Sequence, residues 1–165
     1  MGILNWFESC SKEEQEEANQ LVFMASIAPK GLFIPLMKRY PDFLVIAQAN
    51  CCEKFDYFYT CGLIFIVMLA RSDKGVLVAR KKALKNWNKD SFAEITRLSR
   101  LVNNNLSQHK INDVDDISTY VAGWVLHMTS VNLDNSQIKK LYDNNEYIPR
   151  HLGKVMLEQV QGFFE

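Results

Sequence analysis

A chain of 165 residues, 48% apolar and 23% charged, suits one ordinary globular domain that buries roughly 70% of its unfolded surface without staples. This balance excludes a disordered, collagen-like or disulfide-scaffold protein, and 7 glycines with 4 prolines are too few for a turn-rich β-sandwich. With 19 basic and 19 acidic residues, no global field draws the chain to nucleic acid or membrane.

The opening Met1–Phe7 has no basic stretch before its short apolar run, so no secretory leader is expected, and Trp6 stands where a myristoylation signal needs Ser or Thr. Residues 2–9 read as a short helix with Ile3, Leu4, Trp6 and Phe7 turned onto the protein, because the neighbouring charges, Glu8 and Glu13, are acidic rather than the cations of a membrane-surface helix. Ser11 with Glu14 forms a capping box, in which hydroxyl and carboxylate each satisfy a free backbone N–H. Glu13, Glu14, Glu16 and Glu17 sit near the positive end of the helix dipole. Ala18, Leu21, Val22, Ala25 and Ala28 follow at helical spacing until Pro29 and Gly31 end the helix. The stretch 32–40 is interrupted by Pro35. Phe43–Ile46 fits either a helix or a short strand, and helix is favoured because no partner strand is evident.

Asn50 and Glu53 mark another helix start. From Phe55 to Ala70 the chain is apolar on all sides except at Asp56, Thr60 and Gly62, so a helix there must be surrounded by others. Its longest apolar run, Gly62–Ala70, is about half a membrane span, and no integral membrane contact is expected. After a turn at Ser72–Gly75, Val76, Ala79, Ala83 and Trp87 form one predicted core stripe. Ser91 and Glu94 suggest a second capping box, followed by Phe92, Ile95, Leu98, Val102 and Leu106, with the asparagines at 103–105 fraying the end. Asn112 or Asp113 would cap a helix that turns Val114, Ile117, Val121, Trp124, Val125 and Met128 inward. Asn135 or Ser136 opens a shorter one with Ile138, Leu141 and Tyr142, and Pro149 suits the first turn of a last helix with Leu152, Val155, Met156 and Phe163 inward. The expected fold is all-α: a compact, irregular single-domain bundle of seven or eight helices spanning 1–165, around a buried central helix at about 55–70.

The chain carries no phosphate-binding glycine loop, dinucleotide turn, zinc-protease helix or nucleophile elbow. Asp113, Asp115 and Asp116 lack the glycine and closing glutamate of a calcium loop and read as a dipole-favoured helix start. Cys10, Cys51, Cys52 and Cys61 contain no C-x-x-C pair, which points to reduced thiols and a cytoplasmic protein. Cys51 and Cys52 would share a helix's first turn, where free N–H groups lower a thiol pKa, although an unpaired cysteine ordinarily serves as a small buried apolar residue. His109, His127 and His151 have no ligand spacing; His127 is expected half-buried and His109 in a loop. No metal, cofactor or catalytic residue is implied, and an enzyme is not expected. A pocket inside the bundle, lined by Phe55, Phe58, Phe65, Trp124 and Met128, is a further reading, weaker than an ordinary packed core.

The strongest local signal is charge. Residues 71–100 hold nine cations against three carboxylates, a net of +6 between flanks of −3 each. Arg80, Lys81, Lys82, Lys85, Lys89, Arg97 and Arg100 are the candidate partner-binding residues, with the lysines opposite the Val76–Trp87 stripe. The same charges also suit a plain solvated face balanced by the acidic flanks. Where a partner is involved, an acidic protein fits better than nucleic acid, since the nearby aromatics, Trp87 and Phe92, are both assigned to core faces. The function expected is a non-enzymatic protein–protein interaction module, of inhibitor, immunity-type or adaptor kind, that occludes its partner. The alternative is nucleic-acid binding through segment 71–100, and 19 aromatic residues leave room for a homodimer.

Overall fold

The computed structural model describes residues 10–30, 38–39, 52–70, 74–109, 114–129, 134–136 and 147–165. These residues are all-helical and compactly packed, with no strand among them. Six helices are described: α1 (Lys12–Ile27), α2 (Cys52–Leu69), α3 (Lys74–Trp87), α4 (Lys89–His109), α5 (Val114–Thr129) and α6 (Tyr147–Gly162). The helices expected at 2–9, around 43–46 and along 137–142 lie outside the described residues, as do most of 32–40, the thiols of Cys51 and Cys52 and the caps at Asn50, Asn112 and Asp113.

Helix α1 begins as its sequence dictates. The Glu14 N–H donates to Ser11 Oγ at 3.1 Å and the Ser11 N–H donates to Glu14 Oε2 at 2.6 Å, closing the capping box. Ala18, Leu21, Val22 and Ala25 are buried, and Gln15 Nε2 donates to Ala79 O at 3.2 Å, tying α1 to α3.

Every residue of α2 from Tyr59 to Val67 is buried. The helix packs against α1, α4, α5 and α6, which is what a rod without a polar face needs. Phe55 stacks on Tyr59 at 5.4 Å, and Phe58 meets Trp124 edge-on at 5.5 Å. The Tyr59 hydroxyl donates to Gln159 Oε1 at 2.6 Å and so keeps its one polar group satisfied. Phe55, Phe65 and Trp124, considered from the sequence as pocket lining, are buried in the core, with Phe58 and Met128 half-buried against it.

The most extensive helix pair is α5 with α6. Gly153 makes it possible: a Cβ placed there would lie 2.8 Å from Ser118 C, Ser118 O and Thr119 N, so the two backbones touch where the side chain is missing. Ile148, Leu152, Met156 and Val160 form the buried stripe of α6, which starts two residues before Pro149 rather than at it.

Two boundaries differ from the predicted ones. Asn88, not Ser91, caps α4: its Oδ1 accepts from the N–H groups of Asp90 at 2.9 Å and Ser91 at 3.0 Å. One residue separates α3 from α4, so the cap must fall at Asn88, and Ser91 is carried into the buried first turn. Helix α4 then runs through the asparagines to His109 instead of fraying. Asn105 Nδ2 donates both to Leu101 O at 2.8 Å and to Tyr120 Oη at 2.9 Å, anchoring that turn to α5.

Candidate functional site

The basic segment folds into α3 and the first half of α4. Lys81, Lys82 and Lys85 on α3, and Lys89, Arg97 and Arg100 on α4, are all exposed. Helix α3 contains no carboxylate at all. Among the described residues, Lys81, Lys85 and Lys89 have no carboxylate partner, whereas Arg97 Nη1 pairs with Glu94 Oε1 at 2.8 Å. Lys82 points the other way, towards α1, with Nζ 3.7 Å from Cys10 Sγ.

Arg80 does not belong to this face. It is 2% exposed, and its Nη1 donates to Val67 O at 2.5 Å and also to Ala70 O. These carbonyls close α2, where free acceptors and the negative dipole end favour a cation. The Phe164 ring covers the guanidinium, 5.3 Å from Cζ. Trp87 departs in the opposite sense: it is 41% exposed, while Ala79, Arg80, Ala83 and Leu84 form the inward face. The core side of α3 is thus rotated from the predicted Val76–Ala79–Ala83–Trp87 stripe, because Arg80 reaches the end of α2 only when turned inward.

Between α3 and α4 runs an apolar groove of about 470 Å³ that the sequence reading did not foresee. Phe65, Met68 and Leu69 of α2 form its floor, and Leu77, Lys81 and Leu84 form the α3 wall. Phe92, Ile95, Thr96, Ser99 and Asn103 form the α4 wall. The walls widen the core stripes, which reach them at Leu84 and Ile95, towards Leu77 on α3 and Phe92 on α4, and that helical spacing was the available signal. Leu69 remains 50% exposed on the floor. A second cleft of about 590 Å³ lies where α4, α5 and α6 meet, with Trp124, Gly123, His127 and Arg150 in its lining; His127 is exposed there rather than half-buried.

The one buried thiol described, Cys61, faces Ser91, Tyr57 and Glu94 between α2 and α4. Burial pushes it up to about 12, while the Ser91 hydroxyl pulls the other way and the Glu94 carboxylate adds to the rise. At neutral pH it is a protonated thiol, unsuited to nucleophilic attack, and no imidazole is among the groups that act on it. Its stability consequence has a definite sign. The unfolded chain releases this proton near the ordinary thiol value of 9.0 and the folded chain retains it to about 12. Stability is therefore unaffected by Cys61 below pH 9 and falls as pH rises through that window, by about 1.4 kcal/mol per pH unit. Thermal melts from pH 8 to 10 should show this decline, and Cys61→Ala should flatten it; an unchanged slope in the variant would assign the decline to other groups.

Among the described residues, no three His, Cys, Asp or Glu side chains gather as a metal site, and no helix is long and apolar enough to cross a membrane. Comparison with known proteins finds no matching family model, no matching curated protein and no matching solved structure. The functional reading accordingly rests on the surface chemistry of α3 and α4.

Proposed function

We propose that this chain is a non-enzymatic interaction module that binds an acidic protein surface through the cations of α3 and α4 and acts by occluding its partner. The observation that carries the reading is the set of exposed ammonium groups at Lys81, Lys85 and Lys89, without a carboxylate partner among the described residues. Unpaired exposed cations contribute little to folding. They raise the rate of encounter with an acidic surface and penalise a basic one. Trp87, exposed at the end of α3, supplies the amphipathic aromatic that interface centres favour. Arg80 drops out of the proposed face, and Lys82 and Arg97 are secondary to it, being engaged with Cys10 and Glu94. On this reading residues 1–165 form one cytoplasmic domain of seven or eight helices built around α2.

Nucleic-acid binding through the same cations is the second reading, favoured by the exposure of Trp87 as a stacking platform. One experiment separates the two. Bait protein and a Lys81→Glu/Lys85→Glu/Lys89→Glu variant are used for capture at low salt, with and without nuclease. The protein reading expects a captured partner that survives nuclease and falls at least tenfold with the variant. Capture abolished by nuclease selects nucleic acid, and capture unaffected by charge reversal sinks both.

A further inference from the structure

The cations of α3 and α4 and the apolar groove between them belong to one feature. Lys81 is itself a wall residue of the groove. Lys85 stands one turn beyond it on α3, and on α4 Lys89 precedes Phe92 by three residues while Arg100 follows Thr96 by four. Residues three or four apart share a helix edge, so a positive rim runs along both sides of an apolar floor. Two other exposed cations are aimed elsewhere: Lys82 towards Cys10 on the α1 side, and Arg97 into its pair with Glu94. The groove is elongated. At ~1.5 Å per residue, the α4 wall from Phe92 to Asn103 spans roughly 16 Å, and the α3 wall from Leu77 to Leu84 roughly 10 Å. Those lengths match two to three turns of a guest helix presenting anchors at i, i+4 and i+7.

From this geometry we infer that the groove seats an amphipathic helix of a partner protein, apolar on the face that enters and acidic along both flanks. The inference rests on the cationic-face reading above and adds the shape and chemistry of what is bound. Leu69, half-exposed on the floor, meets the guest's apolar side chains, and Lys81 and Arg100 meet carboxylates on its opposite flanks. A helix with basic flanks places like charges along both rims and is rejected.

The test uses the full chain and three labelled synthetic helical peptides, followed by fluorescence anisotropy at low salt. The first carries leucines at i, i+4 and i+7 with glutamates on both flanks. The second keeps the leucines with lysine flanks, and the third keeps the glutamates with serines in place of the leucines. The first peptide alone should bind. Leu69→Asp, at an exposed position that leaves the fold intact by circular dichroism, should weaken it at least tenfold, as should Lys81→Glu/Arg100→Glu. Lys82→Ala/Arg97→Ala, at positions aimed away from the groove, should weaken it less than twofold. If the serine peptide binds as tightly as the leucine one, or Leu69→Asp has no effect, the groove is not the site, though the cationic-face reading survives. Equal binding of the lysine-flanked peptide removes the charge rule. Failure of both acidic peptides overturns the groove and the cationic face together.

Discussion

Arg80→Ala should lower stability by about 4 kcal/mol, as much as truncating a large core side chain. The guanidinium is buried, bonded to Val67 O and Ala70 O, and covered by Phe164. Hydrogen bonds to a charged group contribute ~1.5–3 kcal/mol each, and truncation strips them from two carbonyls at the end of α2. It also empties the space beneath the Phe164 ring. In a domain of this length the loss corresponds to a fall in melting temperature of roughly 8–16 °C. Arg80→Met separates the contributions: it keeps most of the packing and removes the donors. A methionine variant that melts with the alanine variant assigns the loss to the hydrogen bonds; one that melts near the unsubstituted protein assigns it to packing. An Arg80→Ala protein melting within 2 °C of the parent would refute the role given to this cation.

The second large effect is at Gly153. Alanine there brings a Cβ to 2.8 Å from the Ser118 carbonyl and the Thr119 nitrogen, both backbone, so neither can swing aside. Overpacking of this kind costs up to ~3 kcal/mol, whereas the gain in helix propensity from glycine to alanine is at most ~1 kcal/mol. The net expectation is a loss of about 2 kcal/mol, or roughly 4–8 °C in melting temperature, as α5 and α6 are pushed apart. Gly123 is the matched control in α5. A Cβ there meets nothing within 4 Å, so Gly123→Ala should stabilise by ~0.5–1 kcal/mol. Gly62 lies between them, because the atoms closest to its added Cβ, Met156 Cε at 2.7 Å and Val121 Cγ1 at 2.9 Å, belong to side chains rather than to backbone. Thermal melts of the three variants should rank Gly123→Ala above the parent and Gly153→Ala lowest; any other order would undo the close-contact explanation.

What could be read from the sequence was governed by short-range chemistry. The Ser11–Glu14 box is closed by residues three apart, and the continuous burial of Tyr59–Val67 follows from a segment that offers no polar face. Arg80 was misjudged because its neighbours in the chain are Lys81 and Lys82, while the groups that turn it inward are carbonyls of another helix. The same event carries Trp87 outward. Asparagine competes with helical hydrogen bonds, so the run 103–105 reads as a fraying end; the bond of Asn105 to Tyr120, across the interface, reverses that tendency. The groove was invisible for a related reason. Its floor and two walls come from three helices, and only their assembly turns the edges of three core stripes into a concavity.

A single residue joins the two helices that wall the groove, and its backbone N–H, its carbonyl and its side-chain oxygen are all engaged in closing them. The Asn88 N–H closes α3 on Leu84 O at 3.0 Å, its carbonyl accepts from the Phe92 N–H at 3.1 Å, and its side chain caps α4. The two walls therefore share a joint that folding itself sets, and a guest helix of the kind proposed would find the groove already at width, so that little ordering entropy would be lost at the joint.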